Sequence, residues 1–301
     1  FWTGGTRFVV EVTKRLQQSW DVEIIVEKAS PEVKKECKRH GIAIKEIGSL
    51  TSTSPIYWLL FPLMLWLYEK RIRKETEDAD VVISGMFPMN SIATRLNKPT
   101  IQNCWEPFAF FYDNHFINGF PLPKRIFIRM LIVLYKHLDM NGIKRSDVIT
   151  TLNRTTEDLI EKIYERNAIK TYMGVDTDFF RPVTIIPSNG NKEKIILHST
   201  DYTMMKGTRF IIDALPLVKD KISEVKLIIT HTVNDPNERA NLLNMAKTLG
   251  VDKNIEFVGT VPYSKLPEYY SRADLLAFTG HPECLGPTAS LTVLEAMACE
   301  T

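Results

Sequence analysis

Along most of this chain, short apolar runs alternate with longer stretches in which apolar positions recur every three or four residues. A strand pattern thus gives way to a helical one again and again. Gly4-Gly5 precedes Arg7, Val9, Val10, Val12 and Leu16 at helical spacing, so a glycine turn opens the first helix. Val22–Val26 and Ile42–Ile47 read as strands on either side of a charged helix over Glu32–His40. Val81–Ser84 and Thr100–Asn103 read as buried strands separated by a helix around Ser91–Leu96. Val148–Thr151 then leads into a helix over Arg154–Tyr164 and a short run at Ala168–Thr171. The second half repeats the alternation: strands at Ile195–His198, Val225–Thr230, Ile255–Val258 and Leu275–Phe278, helices over Gly207–Val218, Asn237–Leu249 and Ser264–Ser271. Such alternation implies an α/β protein with two Rossmann-like parallel-sheet domains facing each other across a cleft. The turn Gly174-Val175-Asp176-Thr177-Asp178 and the Pro182–Lys192 segment have linker composition, so domains are expected over residues 1–183 and 184–301. The chain opens on a strand-to-helix turn and stops just past a helix, and both sheets are therefore expected to be truncated.

Two segments are more apolar than this pattern needs. Ile56 to Tyr68 is almost wholly apolar, yet at 13 residues it is shorter than the about 20 a membrane span requires. A buried helix is expected there, with an interfacial helix ending in Lys70, Arg71, Arg73 and Lys74 as the alternative. Phe108 to Leu138, rich in Phe, Ile and Leu and carrying Lys124, Arg125 and Arg129, reads as a core helix pair, or else as a surface for a lipid-linked partner.

Composition changes the picture little. With 301 residues the chain is long enough for two domains, and 44% hydrophobic with 25% charged residues is ordinary for a globular protein. A net charge of +2 argues against a nucleic-acid partner. Cys37, Cys104, Cys284 and Cys299 are scattered without ligand spacing, which favours reduced thiols over disulfides or zinc. Asp78-Ala79-Asp80 and Asp176-Thr177-Asp178 read as local turn structure, so no metal is expected. No Gly-x-Gly-x-x-Gly follows a strand and no phosphate loop ends in Gly-Lys-Ser/Thr, so no dinucleotide cofactor is expected.

Candidate chemistry gathers near the end. Glu283 lies in a Gly/Pro/Ser/Thr-rich loop before a helical pattern that starts after Ser290. Ser290 reads as an N-cap, and the first N–H groups beyond it, from Leu291 on, suit an anion. Glu295, one turn in, could accept from sugar hydroxyls beside a diphosphate; an ordinary capped helix with a solvated glutamate is the other reading. Lys206-Gly207, after a strand and a loop, could grip the same diphosphate or be a surface lysine. Gly4-Gly5 could admit a phosphate to the backbone or merely form a tight turn.

Taken in order, these motifs resemble family 4 of the retaining nucleotide-sugar glycosyltransferases, which have the two-domain GT-B fold. The resemblance runs from Gly4-Gly5-Thr6-Arg7 through Gly174–Pro182, Lys206-Gly207, Ile255–Val261 and Tyr269–Asp274 to Leu294-Glu295-Ala296-Met297-Ala298-Cys299. It implies a metal-independent hexosyltransferase of glycan or cell-envelope synthesis, with a nucleotide diphosphate sugar as donor and a sugar or lipid-linked acceptor. Gly5 and Lys206 would meet the donor phosphates, Val261 the base, Glu295 the ribose and Glu283 the transferred sugar. Trp105 and Glu106 would stand on the acceptor side. A cytoplasmic setting is implied, with the inner membrane face as the place to meet a lipid-linked acceptor. The chain also departs from the family: Glu283 and Glu295 are too widely spaced, Trp105 replaces a His, Met173 replaces an Asn, and Thr200-Asp201 stands where a phosphate-binding Arg is usual. Those departures leave a second possibility, a catalytically silent GT-B relic that binds a nucleotide sugar or a protein partner.

Overall fold

The computed structural model describes residues 3–48, 54–184, 193–200, 206–231, 235–280 and 290–301. By backbone contacts the chain divides into two compact units, Phe1–Phe111 with Leu122–Thr171, and Tyr112–Pro121 with Tyr172–Thr301.

In the first unit the elements run α1 (Gly4–Leu16), β1 (Glu23–Val26), α2 (Pro31–Arg39), β2 (Ala43–Glu46), α3 (Pro55–Leu59), α4 (Phe61–Glu75), β3 (Val82–Ser84), α5 (Met89–Ala93), β4 (Thr100–Asn103) and α6 (Ala109–Tyr112). After α7 (Asn114–Asn118), which groups with the second unit, come α8 (Leu122–Lys144), β5 (Val148–Thr151), α9 (Arg154–Tyr164) and β6 (Ile169–Lys170). All strand pairs are parallel, in a two-stranded sheet β1-β2 and a four-stranded sheet β3-β4-β5-β6. Helix α9 illustrates why the local sequence folds as it does. Thr156, Ile160 and Tyr164, spaced by four, are its buried stripe, and Asn153 caps it by accepting from Thr156 N at 2.8 Å.

The second unit continues with β7 (Lys194–Ser199), α10 (Thr208–Lys219), β8 (Val225–Thr230), α11 (Pro236–Thr248), β9 (Ile255–Gly259), α12 (Leu266–Arg272), β10 (Leu275–Leu276) and α13 (Leu291–Ala298). Its sheet is parallel throughout, in the order β10-β7-β8-β9. The central strand β8 is apolar nearly end to end because helices cover both faces of such a sheet. One core cluster joins Ile212, Leu215, Leu227, Ile229 and Leu242; another joins Phe180, Leu197, Ile228, Tyr270 and Ala296.

Four expectations need correction or refinement. The Ile56–Tyr68 run is not a buried helix. It spans α3 and α4, with Tyr57, Phe61, Met64, Leu65 and Tyr68 buried while Ile56, Leu59, Leu60, Leu63, Trp66 and Leu67 are exposed. Likewise α8 buries Ile128, Leu131 and Tyr135 but exposes Leu122, Ile126, Met130, Val133 and Leu134. Each helix is apolar on two faces, and the core covers one. Val81 and Ile83 are also exposed, since β3 is an edge strand. Finally, the Gly174–Pro182 stretch is more than a linker: Phe180 is buried in the second core, with Val175 and Phe179 packed against it. By backbone contacts the stretch groups with the second unit, whose longer segment is Tyr172–Thr301.

Candidate functional site

In a parallel sheet every strand delivers its outgoing loop to one edge, the edge where α/β folds bind ligands. In the second unit, Lys206 follows β7, Val261 follows β9, and Ser290-Leu291 follow β10. The topology therefore gathers these candidates along one border of the sheet. Half-buried Lys206 offers its carbonyl to Thr279 Oγ1, which donates at 2.9 Å. Gly207 makes that approach possible. Its φ is +68°, and a Cβ there would stand 2.8 Å from Thr279 Oγ1 and 3.3 Å from the Gly280 carbonyl carbon. Buried His198 ties the same two segments together. Its Nδ1 lies 2.9 Å from Ala277 O and its Nε2 lies 3.0 Å from Thr208 Oγ1. Because a carbonyl only accepts, a neutral ring must donate from Nδ1 and accept the threonine hydroxyl at Nε2.

Ser290 holds the N-cap position of α13, but its side chain makes no capping hydrogen bond, and the first turn carries no acidic residue. Nothing on that turn opposes an anion at the helix entrance. Glu295 is not the solvated glutamate of the second reading. It is only 2% exposed, and one carboxylate oxygen accepts from Tyr270 OH at 2.8 Å inside the core. Val261 is half-buried just past β9. Nearby, burial and then the charge of Arg239 hold the His231 imidazole below its ordinary pKa. Glu283 and Asp201 lie outside the described residues.

In the first unit, β4 delivers Cys104, Trp105 and Glu106 to the corresponding edge. The structure brings Gly5 and Trp105 together: a Cβ at Gly5 would come within 2.7 Å of Trp105 Cζ3. The room left by the missing side chain is thus filled by indole. Phe8 meets the same ring edge-on at 5.7 Å, and Thr156 Oγ1 donates to Trp105 O at 3.1 Å. Glu106, with Gln102, Cys104, Asn90, Asp139 and Tyr164, lines a cavity with room for about one water. There, buried Asp139 accepts from Asn90 Nδ2 at 2.7 Å and from Tyr164 OH at 2.9 Å. Burial, followed by the charges of Asp139 and Glu106, pushes the Cys104 thiol far above its usual range, so it is no nucleophile. Among the described residues no three His, Cys, Asp or Glu side chains converge on a possible ion position.

Sequence reasoning missed His198, Thr279, Tyr270 and the Asn90–Asp139–Tyr164 cluster. Two signals were available. His198 follows the apolar run Ile195–Leu197 near the end of β7, and Asp139 is the sole acid within α8.

Residues 184–301 match the family described as glycosyl transferases group 1. No curated protein matches the chain. Solved structures do. A glycosyltransferase from Rickettsia africae ESF-5 is similar over 100% of this chain and 75% of its own, with 18% identity and a TM-score of 0.70. The Anabaena protein HepE, solved with UDP and glucose, matches 99% of this chain and 75% of its own at 14% identity and a TM-score of 0.70. Sucrose-phosphate synthase from Thermosynechococcus elongatus matches 99% of this chain and 74% of its own at 15% identity and 0.72. The group 1 glycosyl transferase match is thus confined to residues 184–301, and the fold of the chain is the GT-B fold of these solved structures.

Proposed function

We propose that the chain transfers a hexose from a nucleotide diphosphate sugar to a glycan or lipid-linked acceptor, with retention at the anomeric carbon and without a metal. The observation that carries this reading is the delivery of Lys206, Val261 and the Ser290-Leu291 helix entrance to one border of a parallel sheet. A diphosphate at that border would meet a cation and the positive end of a helix with no acid in its first turn. Val261 would lie against the base. Glu295 would take the ribose, with the Tyr270 phenol as the hydroxyl that ribose joins or replaces. Glu283 is assigned to the transferred sugar, and Trp105 and Glu106 to the acceptor, with Gly5 serving the site by seating the indole.

In the reaction, an acceptor oxygen bonds to the anomeric carbon on the face that the phosphate oxygen leaves. The electron pair of the broken bond goes to the diphosphate, which also takes the acceptor proton. Lys206 stabilises the charge that develops, a contribution whose loss costs about 2.7–4 kcal/mol, or roughly 100- to 1000-fold in rate. UDP-glucose is the first donor to try, since HepE is also solved in complex with it.

The test is hexose release from a panel of nucleotide diphosphate hexoses. The wild type is expected to turn over slowly, Lys206→Ala at about a hundredth of that rate, and a chelator to change nothing. Nucleotide binding without turnover of any donor would instead support the second reading, a nucleotide-sugar-binding protein. Trp105, in the place of the family's His and packed on Gly5, is what favours that alternative.

A further inference from the structure

The uncovered faces of α3–α4 and α8 carry a regular pattern. Leu59, Leu63 and Trp66 on one, and Ile126, Met130 and Val133 on the other, recur every three or four residues on the side away from the core. Val133 is 82% exposed and Leu59 66%. The helices are neighbours: the Phe61 and Tyr135 rings lie 4.8 Å apart, and Tyr135 OH donates to Trp58 O at 3.0 Å. Apolar surface of this extent on adjacent helices marks an interaction site.

Charge decides what covers it. Lys70 and Lys74 prolong the α4 stripe beyond Trp66, and the Lys70 ammonium lies 5.7 Å from the centre of the Trp66 ring. Lys124 and Arg129 flank Ile126 on α8. The acids of these helices are neutralised or buried: Glu69 pairs with Arg73 and Arg95, Glu75 with Lys45, and Asp139 is buried. An apolar face with a cationic rim complements a lipid surface bearing anionic headgroups. No helix of the described residues is long and apolar enough to cross a membrane, so these helices would lie along the surface.

We propose that α3–α4 and α8 dock this protein on a bilayer rich in anionic lipid. The apolar stripes enter the headgroup layer, and Lys70, Lys74, Lys124 and Arg129 meet its phosphates. The proposal deepens the lipid-linked-acceptor reading above and rests on it only for its purpose, because docking needs no donor.

The full chain, without nucleotide, is pelleted with vesicles of equimolar phosphatidylglycerol and phosphatidylcholine, and with vesicles of phosphatidylcholine alone. Binding is expected to the anionic vesicles, to be about tenfold weaker on neutral ones, and to fall with added salt. Trp66→Glu and Val133→Glu should each cut anionic binding by roughly tenfold with unchanged melting. Leu217→Glu, at an exposed apolar position of the second unit, should leave it intact. Should either variant melt early, Lys70→Glu with Lys74→Glu replaces it, and loss of binding is again expected. Absence of binding, or equal binding by all variants, overturns the proposal. So does a wild-type dimer that these variants make monomeric without vesicle binding, which would assign the face to a second copy. A chain that binds vesicles but turns over no donor supports the surface and overturns only the transferase reading.

Discussion

A methyl group added at Gly5 would come within 2.7 Å of Trp105 Cζ3, closer than side-chain carbons approach, while Phe8 also packs on the indole. Gly5→Ala should therefore cost about 1–3 kcal/mol through overpacking. In a Trp105→Ala background the same change should be neutral or stabilising by up to about 1 kcal/mol, since Ala favours helix over Gly. Urea melts of the four proteins measure the coupling, expected at about 0.5–3 kcal/mol; a value of zero would remove the indole from Gly5. His231 supports a second prediction. Its folded pKa lies below the ordinary 6.5, mainly because burial disfavours the imidazolium and secondly because of Arg239. Below that ordinary value the unfolded chain takes up a proton that the folded chain refuses. Stability should thus fall as pH drops from about 6.5 toward the folded pKa. Urea midpoints at about pH 7.5 and 5.5 should fall further for the wild type than for His231→Gln. Equal losses would show that His231 is not held neutral.

At the scale of elements, the turn into α10 is the most sensitive join. Gly207 combines a left-handed φ of +68° with the close approach of Thr279 and Gly280. Gly207→Ala would meet both obstacles: about 1–2 kcal/mol for the backbone and a clash at Thr279 Oγ1 in addition. The lysine just before it would be displaced with the helix start. The expected outcome is a lower melting temperature together with a donor affinity weakened in titration, whereas Gly250→Ala, with a similar φ of +67° but open space around it, should lower stability and spare affinity. The one-faced helix α9 over Arg154–Tyr164 and the short, continuously apolar strand Val225–Thr230 were legible in the sequence and fell where expected. The Ile56–Tyr68 and Phe108–Leu138 runs were less so. A segment apolar all round says that burial is available to both faces, and only the packing decides which is used. The candidate site divides the same way. Lys206 could be located by its strand and helix, but the Tyr270–Glu295 bond and the His198 bridge join residues far apart in sequence, and nothing local announces them.

For the whole molecule, the division into two units makes ligand binding separable by probe. The four tryptophans among the described residues, Trp20, Trp58, Trp66 and Trp105, belong to the first unit, whereas Lys206, Val261, Ser290 and Glu295 belong to the second. On the proposed reading a nucleoside diphosphate without its sugar engages second-unit groups. At about 100 times its dissociation constant it should stabilise by roughly 2.7 kcal/mol whatever it binds natively. For a unit of this size that is a rise in melting temperature of roughly 5–10 °C. The rise should appear in far-ultraviolet circular dichroism, which follows helices of both units, and be absent from tryptophan fluorescence, which follows the first. Lys206→Ala should reduce the circular dichroism shift at the same nucleotide concentration. A matching shift in fluorescence would mean that the first unit shares in holding the nucleotide, in keeping with the phosphate role that the Gly5 motif suggests. No shift by either probe with UDP, GDP or ADP would remove the diphosphate from this sheet border, and the donor assignment with it.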